Sequence, residues 1–356
     1  MSADMLKDLQ ALVECESPTD DLDACRRVVN LANEITKKVI GTPADIFDEK
    51  GRPVYWLGAR EPHVVLLAHL DTVWSVGSFT PLWKVEGDVI RGPGIYDMKA
   101  GFIQALYAMK GSDLTKVALI ATTDEETGSA TSRELIERVS KKAKAVLVLE
   151  SAIDGKVKIG RKGTSMYKIT VHGRAAHAGL EPEKGVNATV EIAAIVNTLM
   201  ALGNKEFGTT VVPTVMNSGT TTNTVPAIAR LDVDCRSFTL AEMQRVESAI
   251  HSLSTIHPEA KLEVTGGINR PPLENSATQA LYEKCEVVAS KLGMSPLGSA
   301  SVGGASDGNF AGIHTQVLDG LGAVGEGAHA THENILASHL EPRSTLLAAL
   351  VKEILA

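Results

Sequence analysis

The segment HVVLLAHLDTV, residues 63–73, places a histidine and an aspartate directly after an uninterrupted apolar run. Such a run, without polar alternation, is typical of a strand buried on both faces in a sheet covered by helices. The same pattern recurs in KVALIATTDEETGS, residues 116–129, and in AVLVLE, residues 145–150. We therefore predict an α/β fold in which three strands end in acidic or histidine side chains. In such a sheet, ligands bind where the strands end.

The hydrophobic pattern changes at about Thr164. From there to residue 273, the predicted strands and helices follow the order β-α-β-β-α-β of a split-βαβ, ferredoxin-like sandwich. Beyond it, predicted helices over 277–291 and 341–355 return to the α/β style. We predict a discontinuous catalytic domain, residues 1–163 and 274–356, with a mixed sheet flanked by helices. An inserted domain, residues 164–273, interrupts it.

Composition and charge exclude several classes of protein. The chain has 356 residues, of which 44% are hydrophobic and 22% charged, as in ordinary globular proteins. A net charge of -8 argues against nucleic-acid and anionic-membrane partners, and no apolar run approaches the roughly 18 residues of a membrane span. The N-terminal sequence MSADMLKDLQ lacks the features of a secretory signal, and the four cysteines form no CxxC motif. We therefore expect reduced thiols and a cytoplasmic protein.

The polar residues near the strand ends have the chemistry of metal ligands. They are His69, Asp71, Asp97, Glu125, Glu126 and Glu150. His69 and Asp71 lie two apart on an extended segment, so one can bind metal while the other orients its partner. Glu125 and Glu126 are adjacent and cannot easily face the same ion, which favours one ligand and one general base. Each acid alone is better explained as a cap or surface charge. Three strand ends together predict a metal site.

Five segments, in order along the chain, resemble motifs of the zinc-dependent aminoacylase/carboxypeptidase metallopeptidase family. They are HLDTV (69–73), GPGIYDMKAG (92–101), TTDEETGS (122–129), GRAAHAGLEPEKGVNA (173–188) and GAHATHENI (327–335). This family includes acetylornithine deacetylases, succinyl-diaminopimelate desuccinylases and glutamate carboxypeptidases. The sequence is most similar to the carboxypeptidase G type, and the resemblance extends from about residue 65 to residue 345.

The resemblance implies two Zn²⁺ ions per subunit, which Co²⁺ or Mn²⁺ can replace. It assigns the ligands as follows: Asp97 bridging both ions, His69 and Glu150 on one ion, Glu126 and His329 on the other. Glu125 would be the general base, and Asp71 would hold His69 in place. The peptide bond after Asp97 would be cis. His332 stands where the family often has Asp, which leaves its role open.

The resemblance also implies residues that contact the substrate. His177 would reach from the inserted domain into the partner subunit's cleft and stabilise the oxyanion, so we expect a homodimer through residues 164–273. Arg270, before two prolines, and Asn223 would bind the free carboxylate of the substrate. An ordinary surface pair for Arg270 and a turn position for Asn223 are the simpler alternatives. A basic stretch could bind an acidic side chain of the substrate or could lie on a solvated strand face. It consists of Lys156, Lys158 and Arg161.

Together, these features predict a dinuclear-zinc hydrolase that cleaves an amide or peptide bond next to a free carboxylate. Its substrate would be a small N-acyl amino acid or a short peptide, and glutamate release is the favoured reaction. The alternatives are an N-acyl amino-acid deacetylase similar to acetylornithine deacetylase, and a dipeptidase. A remote alternative is a serine hydrolase, because GASDG, residues 304–308, fits the GxSxG pattern around Ser306 and is followed by Asp319 and His329. That alternative leaves the cluster of acids unexplained.

Overall fold

The computed structural model describes residues 3–356, and its backbone contacts form two compact units. The first unit contains the chain up to Gly160 together with Glu274–Val302 and Ser306–Ala356. The second, here called the inserted unit, contains Arg161–Leu273 and Gly303–Ala305.

The regular elements of the described residues are as follows. The α-helices cover Ala3–Glu14 (α1), Leu22–Ile40 (α2), Ala100–Ala108 (α3), Arg133–Ser140 (α4), Ala188–Met200 (α5), Leu240–His251 (α6), Gln279–Lys291 (α7), Gly308–Ala311 (α8) and Leu340–Leu355 (α9). The strands cover Asp45–Glu49 (β1), Arg52–Gly58 (β2), Val64–His69 (β3), Lys84–Glu86 (β4), Val89–Arg91 (β5), Val117–Thr122 (β6), Ala145–Val148 (β7), Val157–Arg161 (β8), Gly163–His172 (β9), Thr210–Ser218 (β10), Ile228–Ser237 (β11), Lys261–Arg270 (β12), Ser299–Val302 (β13), Gln316–Leu318 (β14), Gly325–Glu326 (β15) and Asn334–Leu336 (β16).

The main sheet of the first unit has the strand order β1-β2-β6-β3-β7-β14. Strand β3 pairs in parallel with β6 and β7, and β14 pairs in parallel with β7, whereas β2 is antiparallel to β6. The predicted mixed sheet flanked by helices is therefore confirmed. Every residue of β3, β6 and β7 is buried, as their continuous apolar runs indicated. Because these three strands are parallel, their carboxyl ends meet at one edge of the sheet.

Helices α1, α2, α3, α7 and α9 contribute buried side chains to one core cluster with the sheet. Helix α3 lies close to the end of β7, and Gly101 makes this approach possible. A Cβ atom at this position would lie 2.1 Å from the carbonyl oxygen of Leu149. This packing fixes the backbone immediately before Glu150.

The inserted unit has the predicted order β9-α5-β10-β11-α6-β12, and its sheet order is β10-β11-β9-β12 with antiparallel pairing throughout. Both helices contribute to its own core cluster. Helix α5 begins at Ala188. Asn187 has an extended backbone and its side chain accepts hydrogen bonds from the amides of Thr189 and Val190, which caps the helix there.

Among residues 3–356, the structure contains no helix of the length and apolar character that a membrane crossing requires.

Candidate metal centre

Three strand ends and one irregular turn bring the predicted ligands together. His69 is the last residue of β3, and Glu150 lies two residues beyond β7. Glu125 and Glu126 begin a single 3-10 turn that follows β6. Asp97 lies in the turn Ile95–Lys99, and the peptide bond between Asp97 and Met98 is cis, as expected.

The Asp97 carboxylate lies between two histidines. His69 Nε2 is 3.2 Å from Asp97 Oδ1, and His329 Nε2 is 3.3 Å from Asp97 Oδ2. Each histidine also approaches a second carboxylate, since His69 Nε2 is 3.6 Å from Glu150 Oε1 and His329 Nε2 is 3.0 Å from Glu126 Oε2. Each carboxylate oxygen of Asp97 thus faces a different histidine.

The donor set fits a divalent metal. Two groups of residues each offer ligand atoms that lie within 4.8 Å of one another: His69, Glu125 and Glu150, and His69, Asp97 and Glu126. Glu126 Oε1 is buried and has no hydrogen-bond partner among the described residues, as expected of an oxygen that faces a metal position. Imidazole and carboxylate ligands are those that zinc and its neighbours prefer.

The crowding of carboxylates perturbs the pKa values of the cluster. Burial opposes protonation of His69, but its hydrogen bonds with Asp71, Asp97 and Glu150 raise its pKa well above the ordinary value. Hydrogen bonds with Asp97 and Glu126 raise the pKa of His329 to about 10. Burial raises the pKa of Glu126. The concentrated negative charge therefore favours cations at this position.

Asp71 lies against the imidazole ring of His69. The ring Nδ1 of His69 is 3.0 Å from the carbonyl oxygen of Asp71 and 3.4 Å from its Oδ1. The other carboxylate oxygen, Oδ2, accepts hydrogen bonds from Thr19 Oγ1 at 2.8 Å and from the amide of Glu126 at 3.2 Å. Asp71 thereby links the β3 end to the turn that carries the paired glutamates. No sequence motif pointed to Thr19.

Glu333 organises the turn that carries Asp97. Its Oε1 accepts hydrogen bonds from the amides of Tyr96 and Asp97, and its Oε2 accepts from the amide of Gly94 and from Trp74 Nε1, at 2.9–3.1 Å. Burial raises the pKa of this carboxyl group. Glu333 lies in the GAHATHENI segment, four residues after His329, and this spacing is its sequence signal.

The segment around Ser306 has a structural role in the first unit. Ser306 is fully buried, and its hydroxyl donates a hydrogen bond to Asp319 Oδ2 at 2.8 Å and accepts one from the amide of Gly308. The neighbouring Asp307 accepts hydrogen bonds from Ser129 Oγ and Thr122 Oγ1, at the two ends of the loop that contains the paired glutamates. A buried hydroxyl whose proton points to a carboxylate is not placed to attack a substrate, which argues against the serine-hydrolase alternative.

Two residues of the basic stretch have internal partners. Lys158 is buried, and its Nζ lies 3.7 Å from Glu150 Oε2, so it borders the candidate centre. The Arg161 guanidinium donates to the carbonyl oxygens of Gly304 and Ala305. Both positive charges thus have partners within the protein, and no substrate is needed to account for them.

Of the three predicted substrate-binding residues in the inserted unit, His177 and Asn223 lie close together. His177 and Thr224 form an antiparallel bridge, and the amide of Ala178 donates to the carbonyl oxygen of Asn223. Both His177 and Asn223 are exposed. Arg270 differs from these two residues because it is only 5% exposed. It pairs with Thr164, near the N-terminal end of β9.

A sequence comparison identifies the family of this chain. A family model described as Peptidase family M20/M25/M40 matches residues 65–353. Carboxypeptidase G2 of Pseudomonas sp. (strain RS-16) is 29% identical over 97% of this chain and 88% of that protein. Succinyl-diaminopimelate desuccinylase 2 of Shewanella loihica is 28% identical over 78% of this chain and 81% of that protein.

Among solved structures, the aminopeptidase PepT of Bacillus cereus shares the fold. It matches with a TM-score of 0.79 and 22% identity, covering 99% of this chain and 98% of that one. The family match spans all the strand ends that bear candidate ligands, and it covers most of the chain. The chain therefore belongs to peptidase family M20/M25/M40, a family of metal-dependent hydrolases.

Proposed function

We propose that this protein is a dinuclear-zinc hydrolase that cleaves an amide or peptide bond next to a free carboxylate and releases glutamate. The observation that carries the dinuclear proposal is the position of Asp97, whose two oxygens face His69 on one side and His329 on the other. We assign Asp97 as the bridging ligand of two ions. The remaining ligands would be His69 and Glu150 on one ion, and Glu126 and His329 on the other.

When bound, the two ions would polarise the scissile carbonyl group and lower the pKa of a water molecule. Glu125 would then act as general base. It offers an oxygen within 4.8 Å of the ligand atoms of His69 and Glu150, at the edge of the same cluster. It would take the proton of the attacking water and later deliver it to the leaving nitrogen. Glu126, one residue further along the turn, would bind metal instead.

His177 would donate a hydrogen bond to the developing oxyanion. Its Nδ1 accepts hydrogen bonds from the amides of Gly179 and Leu180, both at 3.1 Å. In the neutral ring the proton therefore lies on Nε2, and this exposed nitrogen can act as the donor.

The geometry of the inserted unit favours a dimer through residues 164–273. Arg270 pairs with Thr164 at one end of β9, whereas the loops that carry His177 and Asn223 follow the other end, where Ile228 pairs with His172. Strand β9 has ten residues and so spans about 30 Å, at roughly 3.3 Å per residue. A small substrate cannot contact both ends of one sheet. A site that uses both Arg270 and His177 would therefore draw them from two copies of the chain.

Glutamate release is proposed because carboxypeptidase G2 resembles this chain along nearly its whole length. A substrate panel with the zinc-loaded protein tests this: N-acyl glutamates and peptides with C-terminal glutamate, compared with N-acetyl amino acids and with dipeptides ending in other residues. We expect a chelator to abolish hydrolysis, Zn²⁺ or Co²⁺ to restore it, and the glutamate substrates to have the highest kcat/KM. Full activity in the metal-free protein would contradict the metal mechanism. A higher kcat/KM for N-acetyl amino acids would instead favour the deacetylase alternative.

A further inference from the structure

A cavity of about 520 Å³ adjoins the candidate metal centre within the first unit. Glu126 and Thr127 line one side of it, and the segments 18–21 and 72–76 provide the other walls. We call this cavity the acyl-side pocket. Because Glu126 belongs to the metal cluster, a substrate whose scissile bond lies at that cluster can extend into the pocket.

The walls of the acyl-side pocket are fixed by backbone hydrogen bonds. The amide of Thr72 donates to the carbonyl oxygen of Ser17 at 2.8 Å, and the amide of Thr19 donates to the carbonyl oxygen of Thr72 at 3.1 Å. Just beyond the segment 72–76, the amide of Gly77 donates a hydrogen bond to Glu16 Oε1. The pocket is therefore preorganised, and its occupant need not order the walls.

The lining combines apolar side chains with carboxylates. Val73 and Val76 are 42% and 58% exposed, so they present apolar surface to an occupant. Of the ten lining residues, three are acidic and none is a lysine or arginine. Asp20 is exposed, and within residues 3–356 it has no recorded ion pair or hydrogen bond.

The other charges around the pocket are already engaged. Asp21 caps α2 by accepting from the amide of Ala24 and lies 3.9 Å from Arg27. The guanidinium of Arg52 donates to the carbonyl oxygens of Thr19 and Thr123, behind the wall. Glu126 would bind metal under the proposed function. Asp20 is thus the carboxylate available to a ligand.

We propose that the acyl-side pocket binds an acyl portion carrying an ammonium or guanidinium cation, with Asp20 as the specificity-determining residue and the two valines covering apolar atoms. This inference rests on the proposed function and on the expectation that Arg270 and Asn223 of the inserted unit bind the substrate carboxylate. Acyl groups that carry a carboxylate, such as succinyl, would be repelled by Asp20. The preferred substrates would be unblocked short peptides or peptides with a basic residue before the cleaved bond.

Binding to a zinc-loaded Glu125→Gln protein, measured by calorimetry, tests the proposal with turnover strongly slowed. Four ligands share a glutamate leaving group: Leu-Glu, N-acetyl-Lys-Glu, N-acetyl-Leu-Glu and succinyl-Glu. The first has a cationic α-amino group, the second a cationic side chain, the third is neutral in its acyl part, and the fourth is anionic. We expect a cationic ligand to bind about three- to tenfold more tightly than the neutral one. The first two ligands identify which source of cation is preferred.

Variants of Asp20 then assign the preference. Asp20→Asn should remove the preference for the cation, and Asp20→Lys should reverse it, while binding of N-acetyl-Leu-Glu stays within about twofold. The matched control is Asp23→Asn, which removes an exposed carboxylate that pairs with Arg26 on α2 and does not line the pocket. Its charge preference should equal that of the parent protein.

The two proposals can fail separately. If the ligands bind without regard to acyl charge, or if Asp20→Lys leaves the preference unchanged, the pocket proposal is wrong even when wild-type protein releases glutamate. If the Asp20-dependent preference is found but wild-type protein cleaves none of the four compounds, the pocket proposal stands and glutamate release is wrong.

Discussion

Glu125 and Glu126 are chemically identical neighbours, yet the structure gives them different surroundings. Glu126 Oε2 lies 3.0 Å from His329, and its backbone amide is held by Asp71. Glu125 groups with His69 and Glu150, whereas Glu126 groups with His69 and Asp97. In a 3-10 turn, adjacent side chains point about 120° apart, which separates the two carboxylates.

We therefore expect Glu125→Gln to retain zinc and to lose about 10²–10⁴-fold in kcat, because the change removes the proton carrier and leaves the proposed ligands. Glu126→Gln should lose zinc as well as activity. Metal analysis of the two purified variants, combined with steady-state kinetics, checks both expectations. The opposite pattern of zinc retention would mean that the roles of the two residues are exchanged.

Glu333 provides a second prediction at the residue scale. In Glu333→Gln, rotating the amide either way places an NH₂ group opposite two hydrogen-bond donors of the Asp97 turn or its neighbours. We expect the free energy of unfolding of the metal-free protein to fall by about 1–3 kcal/mol, with weaker zinc binding. Urea unfolding and zinc titration measure the two effects.

The matched control is Trp74→Phe, which removes one of the four hydrogen bonds to Glu333 and keeps the backbone donors. Its effect on zinc affinity should be the smaller one. Equal stability and zinc affinity in Glu333→Gln and wild-type protein would show that Glu333 does not position Asp97.

At the scale of elements, local sequence could predict the strands and the edge that carries the site. The runs before His69 and Glu150 are continuous and apolar, and that pattern depends only on burial. The supporting contacts could not be predicted in this way. Glu333 contacts a turn 236 residues away in sequence, and Asp307 contacts Ser129 across 178 residues. Such contacts depend on tertiary packing, which the periodicity of a single segment does not encode.

Arg270 is another residue whose surroundings could not be predicted from local sequence. The two prolines after it suggested a guanidinium held out for a ligand, whereas the residue is 5% exposed at the end of β12. Its role in binding a substrate carboxylate stays a prediction. The burial of a strand end depends on what packs against it, and neighbouring prolines do not report that.

Ser306, in the turn between β13 and α8, allows a structural role to be tested against a catalytic one. Ser306→Ala removes the buried hydrogen bond to Asp319, so we expect the free energy of unfolding to fall by about 1–3 kcal/mol. Zinc-supported kcat/KM should stay near the wild-type value at temperatures where the variant is folded. Thermal unfolding and hydrolysis assays check this. Complete loss of activity in a folded, zinc-loaded variant would revive the serine-hydrolase alternative.

At the scale of the whole molecule, the question is how one site obtains both its base and its oxyanion donor. His177 belongs to the inserted unit and Glu125 to the first unit. The family resemblance implies that His177 comes from the partner subunit. A closed two-fold dimer would then contain two such sites, each built from both chains. Neither His177→Ala nor Glu125→Gln homodimers should be active, since each lacks one group in both sites.

Mixing the two inactive variants tests this arrangement. A hybrid dimer should hold one site with both residues intact and one with neither, so its activity should be roughly half that of wild-type protein. Subunit exchange is verified by purifying hybrids through two different affinity tags, and mixtures of each variant with itself serve as controls. If verified hybrids remain inactive, His177 acts within its own chain or has no role in catalysis. Recovery of activity would place His177 of one chain in the site of the other chain.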